Sequence, residues 1–292
     1  MIPPILRESG RAPLPMKALH GVLAGALAIL GGVPEAQAQL PTDLAQERRD
    51  YANWLATAPS SPFAIVVQQP VGNGLTLGGP GSDFPLQIGV PGVAREERGV
   101  VVVTQGDKRT LLPRGRPARF GDYQLLASGV PGRMTLAAYG VIQHFHAPAY
   151  YSYRPDLALT VPLEPPERTG QFRTLGLDGT ESLAREAGFV AVPPGATRLR
   201  VYQIGAPDDI ESSLAVFFHD ATDGHGSYPA GRFVELIPAG RGLYRLDLNR
   251  ARNPFCAYSS VYPCPAPWPG NTIPGPIPAG ERYSPPSGTT AP

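Results

Sequence analysis

Gly99-Val100-Val101-Val102-Val103-Thr104 decides the fold class of this chain. Four valines in succession, followed by threonine, restrict side-chain rotation in a way that suits a strand better than a helix. An unbroken apolar run of this length predicts a strand covered on both faces. Working outward, further strand-like runs fall at 64–68, 75–77, 84–88, 109–112, 123–126 and 134–139. Turns such as Gly72-Asn73-Gly74 and Gly78-Gly79-Pro80-Gly81 separate them, a rhythm that predicts antiparallel sheets in a sandwich or open barrel. A second series follows at 157–162, 171–176, 188–192, 197–202, 214–219, 232–236 and 242–247, with Asp178-Gly179-Thr180 and Pro194-Gly195 as turn signals. The expected class is all-β with a short N-terminal helix and a disulfide-stapled C-terminal loop.

Composition narrows the partners. Gly (34) and Pro (36) make 70 of the 292 residues, and the apolar 42 % is confined to short runs, as in β domains. Charged residues are 17 % and the net charge is +1, so the chain offers no electrostatic footprint for nucleic acid. Met16-Lys17, the apolar run 18–33 and Ala36-Gln37-Ala38 read as a signal peptide cut after Ala38, with residues 1–15 ahead of the true start. The apolar run is too short and interrupted to span a bilayer, so no stable membrane insertion is expected after cleavage. The protein is expected to be exported, to the periplasm or beyond.

The boundaries expected are 1–38 for extension and signal, 39–62 for helix and linker, 63–140 and 141–283 for two β regions, and 284–292 for a disordered tail. In the helix, Thr42 is placed to cap. Leu44, Arg48, Tyr51, Trp54 and Leu55 form a docking face, and Pro59 ends the run. Val141-Ile142-Gln143-His144-Phe145-His146 reads as a strand with both histidines on one face. Such a pair can chelate a metal, but no third ligand follows at an obvious spacing, and no metal or cofactor is expected. Tyr150, Tyr151 and Tyr153 could stack a ligand or line a core edge.

The densest polar sequence lies in Phe218-His219-Asp220-Ala221-Thr222-Asp223-Gly224, Tyr228 and Gly231-Arg232, then Asp247-Leu248-Asn249, Asn253-Pro254-Phe255-Cys256-Ala257-Tyr258, Cys264-Pro265, Asn271 and Ala279-Gly280-Glu281. These motifs resemble those of DUF1684, a family of uncharacterised bacterial proteins. They depart from it at Gly270, where the family tends to carry Glu, and at Ser227, where it tends to carry Thr. The resemblance implies a fold and no activity. A fainter one, of the Gly81-Ser82-Asp83 turn to forkhead-associated domains, extends to architecture alone, because the phosphate-reading Arg and Ser-x-x-His are missing.

Two function classes follow. The first is a non-enzymatic protein that binds a small molecule or an envelope ligand through Arg232, Tyr228, Asn249 and Tyr151. The second is a hydrolase in which Asp220, His225 and Asp247 supply acid and base, with Arg232 binding an anionic group. Asp220, Thr222 and Gly224 are equally suited to turn chemistry. No Gly-x-Ser-x-Gly elbow, His-Glu-x-x-His helix or phosphate loop occurs in the chain. Cys256 and Cys264 are the only cysteines, and pairing is the default for an exported protein. Closing so small a loop contributes about 2.5 kcal/mol on the chain-entropy account. The rival, a zinc site with His219 and His225, has an unusual Cys-x₇-Cys spacing. Oligomeric state is not encoded in any of these motifs.

Overall fold

A computed structural model describes residues 39–283, apart from 194, 196 and 206–211. The expected signal peptide and disordered tail lie outside the described residues. The chain opens with helix α1 (Thr42–Thr57), which buries Leu44, Tyr51 and Leu55. Thr42 is the first helical residue and makes no side-chain cap; Pro41 occupies the cap position, and its fixed φ of −56° leads into the helix instead. Among the described residues no helix is long and apolar enough to cross a membrane.

The first β unit is a sandwich of two four-stranded antiparallel sheets. One has the order β1 (Ile65–Pro70), β8 (Arg133–Tyr139), β7 (Tyr123–Val130), β6 (Ala118–Phe120). The other runs β2 (Leu75–Leu77), β3 (Gly92–Glu97), β4 (Val100–Gln105), β5 (Lys108–Leu112). In β4, Val101 and Val103 face the sandwich core and Val102 is buried on the opposite face, as its sequence predicts. Residues 84–88 are not a strand. Asp83 accepts from the Thr76 amide (2.8 Å) and hydroxyl (2.7 Å), holding them as a loop that inserts Phe84 and Leu86 into the same core.

The second unit is a seven-stranded antiparallel sheet ordered β10 (Phe172–Leu175), β11 (Glu181–Val192), β12 (Thr197–Ile204), β13 (Ser213–Phe218), β14 (Arg232–Gly240), β15 (Leu243–Asp247), β9 (Ala158–Pro162). It curls until its ends meet. The residue pair Glu164 and Phe189 exchanges two backbone hydrogen bonds, of 2.8 and 3.1 Å, joining the end of β9 to β11. Six strands thereby form a barrel, with β10 outside it. Closure depends on Gly188, at φ 146° beside a bulge in the β11–β12 register. A Cβ there would lie 1.9 Å from the Glu164 carbonyl oxygen.

The barrel interior holds Val190, Val192, Leu199, Val201, Val216, Phe218, Val234, Leu236 and Leu246. One end is plugged by Leu248, Ala251, Ile273, Ile277 and Ala279, all from the segment after β15. The outer face carries Tyr202, Ala215, Phe217 and Phe233, covered by Phe255, Tyr262, Trp268 and, from the N-terminal region, Trp54 and Ile65. Full burial of each such large side chain contributes about 1.5–3 kcal/mol. Cys256 and Cys264 are bonded, with Cα atoms 5.5 Å apart, and fix the loop that forms this cover. Residues 141–146 run without a strand ladder and leave Val141 82 % exposed. The predicted common strand face for His144 and His146 is therefore absent. Both rings are exposed, and the segment is a connection between the two units rather than a sheet member.

Replacing Gly188 by Ala is expected to cost on the order of 3 kcal/mol or more in urea unfolding, since backbone must move to admit the methyl group. Gly240→Ala supplies the control: it has φ 85° but open space around the new carbon, so only backbone strain of about 1 kcal/mol is expected. Equal losses at the two sites would show that closure does not depend on Gly188.

Candidate functional site

The polar signature residues gather at the plugged end, and most of them hold the plug in place. Arg232 opens β14 with its side chain fully buried and pairs with Asp220 at 2.6 Å. The same guanidinium donates to the carbonyls of Ile277 (2.9 Å) and Ala279. Asp220 Oδ1 accepts from the Thr222 amide (2.8 Å), the Thr222 hydroxyl (2.6 Å) and the Ile277 amide (3.0 Å). The Thr222 hydroxyl lies 2.7 Å from that of Ser227, which lies 3.3 Å from Tyr151 Oη. Burying a pair of ions is costly unless their other donors and acceptors are satisfied, and here the plug backbone supplies partners for all but Arg232 Nε.

The remaining predicted site residues have separate surroundings. Asp247 accepts from the Asn249 amide (3.0 Å) and side chain (2.9 Å) and meets Arg250 Nε at 3.1 Å. Asn249 is fully buried and exchanges 2.8 Å bonds with the backbone amide and carbonyl of Arg154. His225 is exposed, its Nδ1 3.0 Å from the Asp223 carbonyl. Tyr228 Oη lies 3.4 Å from each sulfur of the disulfide. Asp220 and Arg232 thus come together; His225 joins the same turn only through Thr222 and Asp223, its ring facing outward, and Asp247 shares no partner with the three among the described residues. The turn chemistry expected of Asp220 and Thr222 is seen in the bonds from the Thr222 amide and hydroxyl to Asp220 Oδ1, and Asp220 has the further partners Arg232 and Ile277.

Two pairings here were not expected from the sequence, which offered His219 only as a zinc ligand. His219 Nδ1 and Asp223 Oδ2 are 2.5 Å apart on the surface of the plug; burial raises the Asp223 carboxyl and the histidine only partly offsets it. Glu281 is 1 % exposed, accepts from Tyr258 Oη and from the Asn253 amide (3.0 Å), and lies beside Arg252. Burial pushes its carboxyl up to about 7 despite those three opposing influences. Tyr258 Oη continues to Tyr51 of α1 at 3.2 Å. Helix α1 also clamps this region through Glu47, which pairs with Arg250 and, at 2.6 Å, with Arg252. Glu281 was legible as a charged residue, but its burial is set by packing distant in sequence.

A concave feature lies at the opposite end. The barrel mouth forms a cavity of about 540 Å³ whose wall includes Leu163, Ala187, Leu214 and Tyr244 from four strands or their ends. Arg168, Arg185, Glu186 and Gln203 lie around it. That volume is in the range of small-molecule sites, ~300–1,000 Å³. Glu186 holds one wall in position: its Oε1 accepts from the Glu167 (2.6 Å) and Arg168 (3.0 Å) amides, and its Oε2 lies 2.8 Å from Arg200 Nε. The strand alternation that lines the mouth is the same that fills the core, so no sequence signal distinguished the two. Among the described residues no cluster of three or more His, Cys, Asp or Glu could hold a metal.

Two measurements test the plug. Asp220→Ala and Arg232→Met should each cost about 3–5 kcal/mol by stranding a buried charge. The double variant should cost less than their sum by about 1–3 kcal/mol, and strict additivity in urea unfolding would refute the coupling. Glu281 has a folded-state pKa above its unfolded value of 4.5, so its contribution is fully present below pH 4.5 and is lost as pH rises through about 7. Relative to Glu281→Gln, the native protein should lose about 3 kcal/mol between pH 4.5 and 8. Parallel stability profiles for the two proteins would contradict the burial of an ionisable carboxyl.

Residues 143–282 match the model of DUF1684, a protein family of unknown function. No curated protein matches the chain. Among solved structures, the solution NMR structure of the uncharacterized protein from gene locus rrnAC0354 of Haloarcula marismortui is similar, with 27 % identity over 48 % of this chain and 77 % of that one, at a TM-score of 0.40. The family match extends beyond the signature motifs and takes in every strand of the barrel together with its plug. The family that the signature motifs resemble is thus the one whose model matches residues 143–282.

Proposed function

We propose that this is an exported, non-enzymatic binding protein whose ligand enters the barrel mouth. The cavity of about 540 Å³ carries the reading: it is concave, partly apolar and bordered by a few polar groups. Support for export comes from the signal-like sequence ending at Ala38 and from the Cys256–Cys264 bond, which suits an oxidising compartment. An envelope ligand is consistent with that location. The hydrolase alternative built on Asp220, His225 and Asp247 has less support, because Asp220 has its lone pairs engaged by Arg232, Thr222 and Ile277 and a general base must reach the proton it removes.

Mature protein purified from culture medium or periplasm should begin at Gln39 by N-terminal sequencing; retention of residues before it in the cytoplasm would refute export. Binding is tested by thermal shift against a panel of small amphiphiles and polar metabolites. A ligand at a hundred times its Kd adds about 2.7 kcal/mol to stability, a rise of a few degrees. Ala187→Phe, which fills the mouth, should abolish that rise. A panel without a hit, or a hit indifferent to Ala187→Phe, would overturn the reading.

A further inference from the structure

We infer that the mouth selects a small amphipathic anion, with its apolar body against Leu163, Ala187, Leu214 and Tyr244 and its carboxylate or phosphate head between Arg168 and Arg185. The inference rests on the reading of the mouth as a ligand site and adds the class of ligand. Its basis is the balance of charge at the opening. Arg168 makes no side-chain hydrogen bond or ion pair with any described residue, and Arg185 has only the neutral Gln203, whose Oε1 accepts from Nε at 2.6 Å. Glu186, a carboxylate in the cavity wall, is unavailable to either guanidinium. It is fully buried, with two backbone amides on one oxygen and Arg200 beside the other. Neighbouring Glu164 and Glu167 are both paired with Arg198, Glu164 at 2.7 Å.

Among the described residues, two cations therefore border an apolar recess with no carboxylate paired to either; Glu167, which Arg168 influences through charge, is held by Arg198. The guanidinium fork matches a carboxylate or phosphate in geometry, and such a contact is stronger beside an apolar wall than in open water. Arg168 follows directly from the backbone that Glu186 anchors, so at least one of the two stems is set on a fixed base. A cationic amphiphile would meet repulsion at the same rim, and a polar anion without an apolar body would leave the recess wet.

Isothermal titration of mature protein with decanoate, decyl phosphate, decanol, decyltrimethylammonium and inorganic phosphate tests the inference. Decanoate or decyl phosphate should bind at least ten-fold more tightly than decanol. Their ratio tells which head group is favoured, and decyltrimethylammonium and inorganic phosphate should not bind. Arg168→Gln with Arg185→Gln should remove that preference and its salt dependence, while circular dichroism and melting stay native because both side chains are exposed. Ala187→Phe should abolish binding of every amphiphile. Equal affinity for decanol and decanoate, still blocked by Ala187→Phe, would overturn the anion inference and leave the mouth as a binding site. Absence of binding by all five probes would overturn this ligand class, and the wider panel above then decides the site.

Discussion

The two backbone hydrogen bonds between Glu164 and Phe189 set the terms for the rest of the C-terminal unit. Without them the seven strands are an open sheet with two edges and no interior. With them the face becomes the inside of a barrel, and a barrel has two ends to manage. The requirement falls on a single missing Cβ, at Gly188. The polar cluster of Asp220, Thr222 and Arg232 answers the problem of one end; the other end is left concave.

Plugging an apolar cylinder with irregular chain is costly, because its amides and carbonyls leave water without a strand partner. The protein meets this with side chains that act as surrogate backbone. Asp220 takes the Ile277 amide, Arg232 takes the Ile277 and Ala279 carbonyls, and Asn271 spans the Arg200 and Phe217 carbonyls at 2.9 and 3.0 Å. Glu281 does the same for the Asn253 amide, and α1 closes over it. Hydrogen bonds of this kind contribute modestly when made and cost more when broken, so the cluster specifies the plug's path as much as it stabilises it.

Most strands were legible, because apolar runs between turn signals leave little choice of conformation: the valines of β4 and the unbroken Leu214–Phe218 run of β13 are cases. The segment 141–146 shows the limit. Its composition is strand-like, yet a strand needs a neighbour to bond, and sequence does not name one. The polar cluster around Asp220 and Arg232 was visible as a cluster, but whether such groups face a substrate or a carbonyl is decided by Ile277 and Ala279, some fifty residues on. The mouth residues Leu163, Ala187, Leu214 and Tyr244 gave no separate signal. They obey the core pattern, and only the closure of the barrel makes them its end.

The separation of plug and mouth bears on how this scaffold can change. Residues that hold the fold are packed at one pole, interlocked and intolerant of single exchanges. Around the cavity, Leu163, Leu214 and Tyr244 sit near strand ends, where side chains can be replaced without disturbing a bonded network; Glu186 is the exception. A lineage built on this barrel is thus free to change the lining of its cavity while its polar motifs stay recognisable. A motif shared by such relatives then records common architecture rather than a common ligand.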